Sequence, residues 1–200
     1  MHIASRRWIA AALAPLVLAG LWLPTACASP STATTGGHPT ASTTVEACPT
    51  GTGTPIEHLA PMSLPCLGDG VPAMSVTAVH GRPEVINFWA SWCASCAAEL
   101  DLLARAHAAA ADRVLILGVD SKDDQGAATD AIAAAGATYP EVLDPPGAFA
   151  LKLGVVGLPA TIFIDGSGTI VERVPGPLTP ELLAAALSRI GVTGLSIVDS

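Results

Sequence analysis

The apolar positions of this chain fall into runs of two kinds. Val85-Ile86-Asn87-Phe88-Trp89 and Val114–Val119 are nearly continuous apolar stretches of strand length, the pattern of strands covered on both faces. Ala94 to about Ala110 and Asp123 to Ala135 are longer and rich in small or aliphatic residues; they read as helices, the second closed by Gly136. Met74–Val79 and Glu84–Trp89 read as strands joined by the turn His80-Gly81-Arg82-Pro83. Tyr139–Leu143 is expected as a short strand and Pro146–Leu153 as a short helix. Ala160–Ile164 and Thr169–Val174 form a hairpin through Asp165-Gly166-Ser167-Gly168. Thr179 is the N-cap and Pro180 the first residue of a last helix that ends at Gly191. Strands alternating with helices, then a hairpin and a final helix, predict an α/β fold. Its mixed central sheet is flanked by helices and carries an added N-terminal strand.

Upstream of this pattern the character of the chain changes twice. Residues 1–28 contain Arg6 and Arg7 and no acid, and Trp8–Leu23 is an apolar run of sixteen residues followed by Ala26-Cys27-Ala28. Charge, apolar run and small-residue site together read as an export signal; the run is slightly short of the roughly twenty residues of a permanent span. Ser5-Arg6-Arg7 faintly resembles a twin-arginine signal. Residues 29–47 are a Ser/Thr/Pro/Gly/Ala tract that cannot bury enough surface to offset its ordering entropy, and read as a flexible tether. Residues 48–70 are a loop-rich lead-in, residues 71–191 the main domain and residues 192–200 a tail.

Composition narrows the partners. The formal net charge is -8, and the chain has two lysines. An acidic chain of this kind has no electrostatic footprint for nucleic acid, and its domain no attraction to anionic lipid. Contact with a membrane is therefore expected through the N-terminal anchor only. His38, His58, His80 and His107 have no partners at metal-ligand spacing and read as surface or loop residues. No metal or other cofactor is expected. Asp120, Asp123 and Asp124 cluster after a strand, where acids usually cap the next helix.

The chemistry concentrates in the cysteines. Five is an odd number for an exported chain. Cys93 and Cys96 stand one helical turn apart, directly after the strand that ends in Phe88-Trp89, so their sulfurs can close a disulfide. Placed at a helix N-terminus, Cys93 is expected to have a stabilised thiolate and to be the exposed nucleophile. Cys96, one turn in, is the expected resolving thiol. Cys48 and Cys66 flank Pro- and Gly-rich sequence and are expected to pair as a structural disulfide. Cys27 is left. Thr25-Ala26-Cys27 resembles the end of a bacterial lipobox, with Pro24 where Leu is usual, so Cys27 is a candidate for lipidation; secretion with its removal, or an uncleaved anchor, are the alternatives.

The stretch Phe88-Trp89-Ala90-Ser91-Trp92-Cys93-Ala94-Ser95-Cys96 resembles the thioredoxin superfamily, in particular its extracytoplasmic TlpA/ResA-like branch. Asn87 stands six residues before Cys93, where thioredoxin carries a buried acid; Glu99 follows Cys96 by three, and Gly157-Leu158-Pro159-Ala160-Thr161 looks like the branch's cis-proline strand. The resemblance covers roughly residues 66–190 and implies a thioredoxin fold. It implies that Glu99 passes protons near Cys96, where the residues alone suggest a solvated acid complementing the helix dipole. It also implies a cis Leu158–Pro159 peptide facing the cysteines, with the Leu158 backbone free to pair with an extended substrate, and Trp92 packed beside the active sulfur. The family usually has Pro where this chain has Ser95, whose hydroxyl and N–H are extra donors for the Cys93 thiolate.

The function this implies is extracytoplasmic thiol–disulfide exchange with cysteine-containing exported proteins. Electrons would pass to or from a membrane or extracytoplasmic partner. Branch members reduce apocytochrome c before haem attachment; oxidation of newly exported proteins is the other direction. A thiol peroxidase would need a P-x-x-x-T-x-x-C segment, which this chain does not contain, and a redox-silent binding module would not need an intact C-x-x-C.

Overall fold

The computed structural model describes residues 44–68, 73–195 and 197. The signal segment with Cys27, His38, most of the tether and part of the tail lie outside these residues. Four strands of two residues each come first: β1 Thr54–Pro55, β2 Ser63–Leu64, β3 Met74–Ser75 and β4 Ala78–Val79. The main elements follow as β5 Glu84–Trp89, α1 Ala97–Ala110, β6 Leu115–Ser121, α2 Gln125–Ala135 and β7 Glu141–Asp144. The chain then forms α3 Ala148–Lys152, β8 Ala160–Ile164, β9 Ile170–Pro175 and α4 Pro180–Arg189.

The central sheet has five strands in the order β7-β6-β5-β8-β9. β5, β6 and β7 are parallel, and β8 and β9 run against them. Every residue of β5 through β8 is buried, which is why those strands read as continuous runs; the edge strand β9 alternates between half-buried and exposed positions. One face packs against α1, α2 and α4 through residues such as Leu103, Ile132 and Leu187. The other packs against α3 and the N-terminal strands, through Phe149, Ile56 and Leu64. The helix ends follow their sequence signals. Asp124 accepts the N–H groups of Gly126 and Ala127, Gly136 closes α2 in the left-handed region at φ 62°, and Thr179 accepts from Leu182 N–H with Pro180 next to it.

The N-terminal strand corrects the sequence expectation. Met74–Val79 is not one strand and does not join the central sheet. It breaks at Val76-Thr77 into β3 and β4, which pair with β2 and β1 in two separate two-stranded sheets. The break follows from divided partners: Val76 N–H donates to the Met62 carbonyl, whereas the Thr77 carbonyl accepts from Ile56 N–H and its hydroxyl from Met62 N–H. The segment that does extend the central sheet is Pro65–Leu67. It lies along β7 through one antiparallel bridge, Cys66 to Val142, with Leu67 N–H on the Glu141 carbonyl at 2.8 Å and Leu143 N–H on the Pro65 carbonyl at 2.9 Å. This covers a sheet edge that would otherwise offer free N–H and C=O groups. Cys48 is held against the same edge by its bond to Cys66.

Gly118 shows how tightly the interior of the sheet is filled. It sits between Asn87 and Glu141 in register, and a Cβ there would lie 2.0 Å from Glu141 Oε2. That carboxyl cannot easily move, because it is fully buried and accepts the Trp89 indole N–H at 2.9 Å. Gly118→Ala is expected to cost ~2 kcal/mol from overpacking and a displaced hydrogen bond. Urea unfolding measures this, and adding Glu141→Ala should restore part of the loss. A neutral Gly118→Ala would mean that the carboxyl has other room.

Candidate active site

β5 delivers the chain from the middle of the sheet into a turn that carries both active-region cysteines. The turn winds tightly: Cys93 N–H donates to the Ala90 carbonyl, Cys96 N–H to the Cys93 carbonyl and Glu99 N–H to the Cys96 carbonyl, each three residues back. Helix α1 consequently begins at Ala97 with Cys96 as its N-cap, not at Ala94. Cys93 thus stands one turn ahead of the helix instead of at its first position. The sulfurs of Cys93 and Cys96 are bonded at 2.04 Å. Cys93, expected as the exposed sulfur, is instead buried at 8% exposure, and Cys96 lies deeper at 1%. Ser95 Oγ lies 3.5 Å from Cys93 Sγ, close enough for its hydroxyl to donate to a thiolate.

Glu99 is buried at 1% exposure, not solvated. It accepts hydrogen bonds from the Leu178 N–H and, at 3.2 Å, from the Asn87 amide. Asn87 also donates to Thr161 Oγ1 at 3.0 Å, so β5, β8, α1 and the approach to α4 meet in one buried polar group. Burial raises the Glu99 pKa; the bonds from Leu178 and Asn87 pull it partly back. Net, Glu99 keeps its proton to higher pH than an ordinary glutamate.

On the rim, Trp92 is 62% exposed and its indole N–H donates to the Lys122 carbonyl at 3.1 Å. The Leu158–Pro159 peptide is cis, Pro159 is buried, and half-buried Leu158 packs against the core group that includes both cysteines. Val156, two residues before Leu158, is fully exposed. A cavity of about 420 Å³ opens beside Cys93 between α1 and α2, lined by Trp89, Ala97, Leu100 and Ala131 among others.

A family model described as Redoxin matches residues 26–187. The chain belongs to the Redoxin family. Among curated proteins this Redoxin is 34% identical over 125 residues to the thiol:disulfide interchange protein HelX of Rhodobacter capsulatus, covering 62% of this chain and 69% of that one. It is 35% identical over 133 residues to DsbE of Pseudomonas fluorescens biotype C, covering 60% and 73%. The solved structure of MTB DsbF in mixed oxidised and reduced forms superimposes with a TM-score of 0.59 at 25% identity, over 64% of this chain and 94% of that chain. A secreted Mycobacterium tuberculosis disulfide oxidoreductase homologous to E. coli DsbE gives 0.57 at 23% identity over the same shares, a likeness of fold. The chain is a thiol–disulfide oxidoreductase with a thioredoxin fold.

The structure gives two of the acids after β6 a different place from the one expected, and adds a third, Glu141, that the sequence did not single out. Of Asp120, Asp123 and Asp124, only Asp124 caps α2. Asp123 accepts both the N–H and the hydroxyl of Ser91, the latter at 2.9 Å. Asp120 is 2% exposed; burial and then the neighbouring Asp123 push its pKa up to about 8. Burial also holds the Glu141 carboxyl well above the ordinary glutamate range, against the opposing bond from Trp89. The signals were present: Asp120 closes an apolar run at the strand's two-residue spacing from Gly118, and Glu141 interrupts an apolar strand. Two histidines expected at the surface are also largely covered. His80 pairs with Glu84 at 2.8 Å and His107 with Glu46 at 2.9 Å.

Proposed function

We propose that this oxidoreductase works outside the cytoplasm on cysteines of exported proteins, with Cys93 as nucleophile and Cys96 as resolving thiol. The observation that carries this reading is the bonded Cys93–Cys96 pair just after β5, the first cysteine less covered, at 8% exposure, than the second at 1%. In the reducing direction the Cys93 thiolate attacks one sulfur of a substrate disulfide. The S–S bond breaks, the departing substrate thiolate takes a proton, and a mixed disulfide forms. Cys96 then gives up its proton and attacks Cys93, which releases the second substrate thiolate. The substrate gains two electrons and the Cys93–Cys96 pair loses them; an extracytoplasmic or membrane electron donor restores the pair. Such a reductant suits the preparation of apocytochrome c cysteines for haem attachment.

Trp92, Leu158 and Pro159 supply the platform for an extended substrate segment. The N-terminal segment supplies the attachment to the membrane, through lipidated Cys27 or as an uncleaved anchor, and residues 29–47 the tether. Insulin-disulfide reduction by the full chain tests the activity, with peroxide consumption as the contrasting assay. A reduction potential measured against glutathione separates a reductant from an oxidant. Peroxide turnover without insulin reduction would refute the reading.

In this reading Glu99 accepts the Cys96 proton and returns it. A carboxyl whose pKa is raised by burial stands closer to that of a thiol, so transfer between them is less uphill. Glu99→Gln keeps the shape and removes the relay. Exchange should slow by about tenfold, with the pH–rate profile losing one inflection. The sign for stability also follows. A folded pKa above the unfolded value contributes fully below the unfolded pKa and is lost as pH rises through the folded one. Wild type should therefore lose stability relative to Glu99→Gln as pH rises. Unchanged pH profiles in both measurements would return Glu99 to a structural part.

A further inference from the structure

The segment that presents Cys93 is held from behind by acids that the exchange reaction does not consume. Ser91, two residues before Cys93, places both its N–H and its hydroxyl on Asp123, and Asp123 also accepts the Asp124 N–H at 2.8 Å. Next along, Trp92 is tied to the Lys122 carbonyl. The nucleophile's turn is thus fastened to the β6–α2 loop at two successive residues. Beneath that loop lies Asp120, buried at the end of β6. Its Oδ1 has no hydrogen-bond partner among the described residues, and Asp123, three residues on, is the first charged group that acts on it. Two neighbouring carboxyl groups favour holding one proton, since two charges there would repel.

We propose that Asp123 is a positioning residue for the Cys93 turn and that Asp120 tunes its hold, the pair sharing one proton behind Ser91. The inference rests on Cys93 being the nucleophile. While the proton is present, Asp120 donates to the Asp123 carboxylate and the pair carries one negative charge. When it leaves, a second charge appears behind the turn and opposes a thiolate at Cys93. Linkage then requires the reverse: a Cys93 thiolate makes Asp120 keep its proton to higher pH. The surroundings reinforce this. Asp124, Asp144 on β7 and Glu141 all act on or with Asp120 as further acids. On α1, Glu99 acts on Tyr139 instead, and the Lys122 stem packs over Gly147 in the β7–α3 turn.

The test is the redox equilibrium of the full chain with glutathione as a function of pH, for wild type, Asp120→Asn, Asp123→Asn and Asp124→Asn. Taking each variant as a ratio to wild type cancels the titration of glutathione itself. Asn at 120 donates to Asp123 at every pH, so the ratio of wild type to Asp120→Asn should be flat in acid. It should then fall by about threefold as pH passes about 8, the wild-type disulfide becoming harder to reduce. In Asp123→Asn the step should move down by about one pH unit or more, because Asp120 loses its nearest charge. Asp124→Asn, which removes a weaker neighbouring charge together with the cap of α2, should move the step down by less than Asp123→Asn does.

A ratio that stays flat through pH 8, or a step that ignores Asp123→Asn, overturns the proposal. If a variant misfolds, carboxyl-carbon NMR of wild type decides. Asp120 should titrate well above the ordinary carboxylate range, and higher in the reduced protein than in the oxidised one. Titration in the ordinary range, or at the same pH in both redox forms, overturns it. Alkylation mapping of the reduced chain keeps the two levels apart: label on Cys96 in place of Cys93 removes the nucleophile assignment and the proposal with it. Label on Cys93 with no pH step removes the proposal alone.

Discussion

Cys96→Ser should accumulate mixed disulfides with its substrates, and Cys93→Ser should accumulate few or none. The order follows from access. Cys93, at 8% exposure on a turn ahead of α1, is the less covered of the two buried cysteines; Cys96 is the N-cap of α1 at 1%. An incoming disulfide therefore meets the first before the second. With Cys93 as attacker, loss of Cys96 stops the cycle after the first bond has formed, because nothing remains beneath the mixed disulfide to break it. Loss of Cys93 stops it before any bond forms, and turnover should fall by roughly a hundredfold or more. The Ser95 hydroxyl beside Cys93 Sγ favours the same order, since it can donate to the thiolate that attacks. Non-reducing gels and peptide mapping of adducts from an extracytoplasmic extract read the result. Equal trapping by the two variants, or trapping by Cys93→Ser alone, would reverse the assignment.

Removing the Cys48–Cys66 bridge should destabilise the protein by ~3 kcal/mol, and lower its melting temperature by about 10 °C. The two residues are 18 apart in sequence, and the closure entropy of such a loop is lost from the unfolded chain when they are joined. The fold supplies a second reason. Cys66 is the residue that bridges to Val142, so the bond fixes the strip that covers the β7 edge. The same bond holds buried Cys48 in the core group with Val142, Ile56 and Leu64. Cys48→Ala with Cys66→Ala should therefore expose that edge as well as loosen the loop, and urea unfolding of the double variant measures the sum. A change below about 1 kcal/mol would show that edge pairing and packing hold the strip without the bond.

Much of the architecture was legible because fully buried parallel strands leave an unmistakable trace. Val85–Trp89 and Val114–Val119 appear as apolar runs since water meets neither face of them. Thr179-Pro180 and Gly136 mark helix ends through local stereochemistry, which needs no tertiary context. Short strands carry too little pattern. β3 and β4 are two residues each, and their partners β2 and β1 are chosen by loops ten or more residues away. Alternating residues over Met74–Val79 therefore read as a single strand, although its backbone serves two neighbours.

The same division runs through the site. Residue order alone shows two cysteines one turn apart after a buried strand, Glu99 on the helix that follows Cys96, and Leu158-Pro159 ahead of a strand. Those are local facts, written in spacing. Their surroundings come from packing: Glu99 is buried against Asn87 and Leu178, Asp123 grips Ser91, and Glu141 fills the space a side chain at Gly118 would need. An acid's role depends on its hydration and on the groups that face it across the sheet. Those neighbours come from β6, β7 and the approach to α4, far along the chain, and no local pattern of residues encodes them.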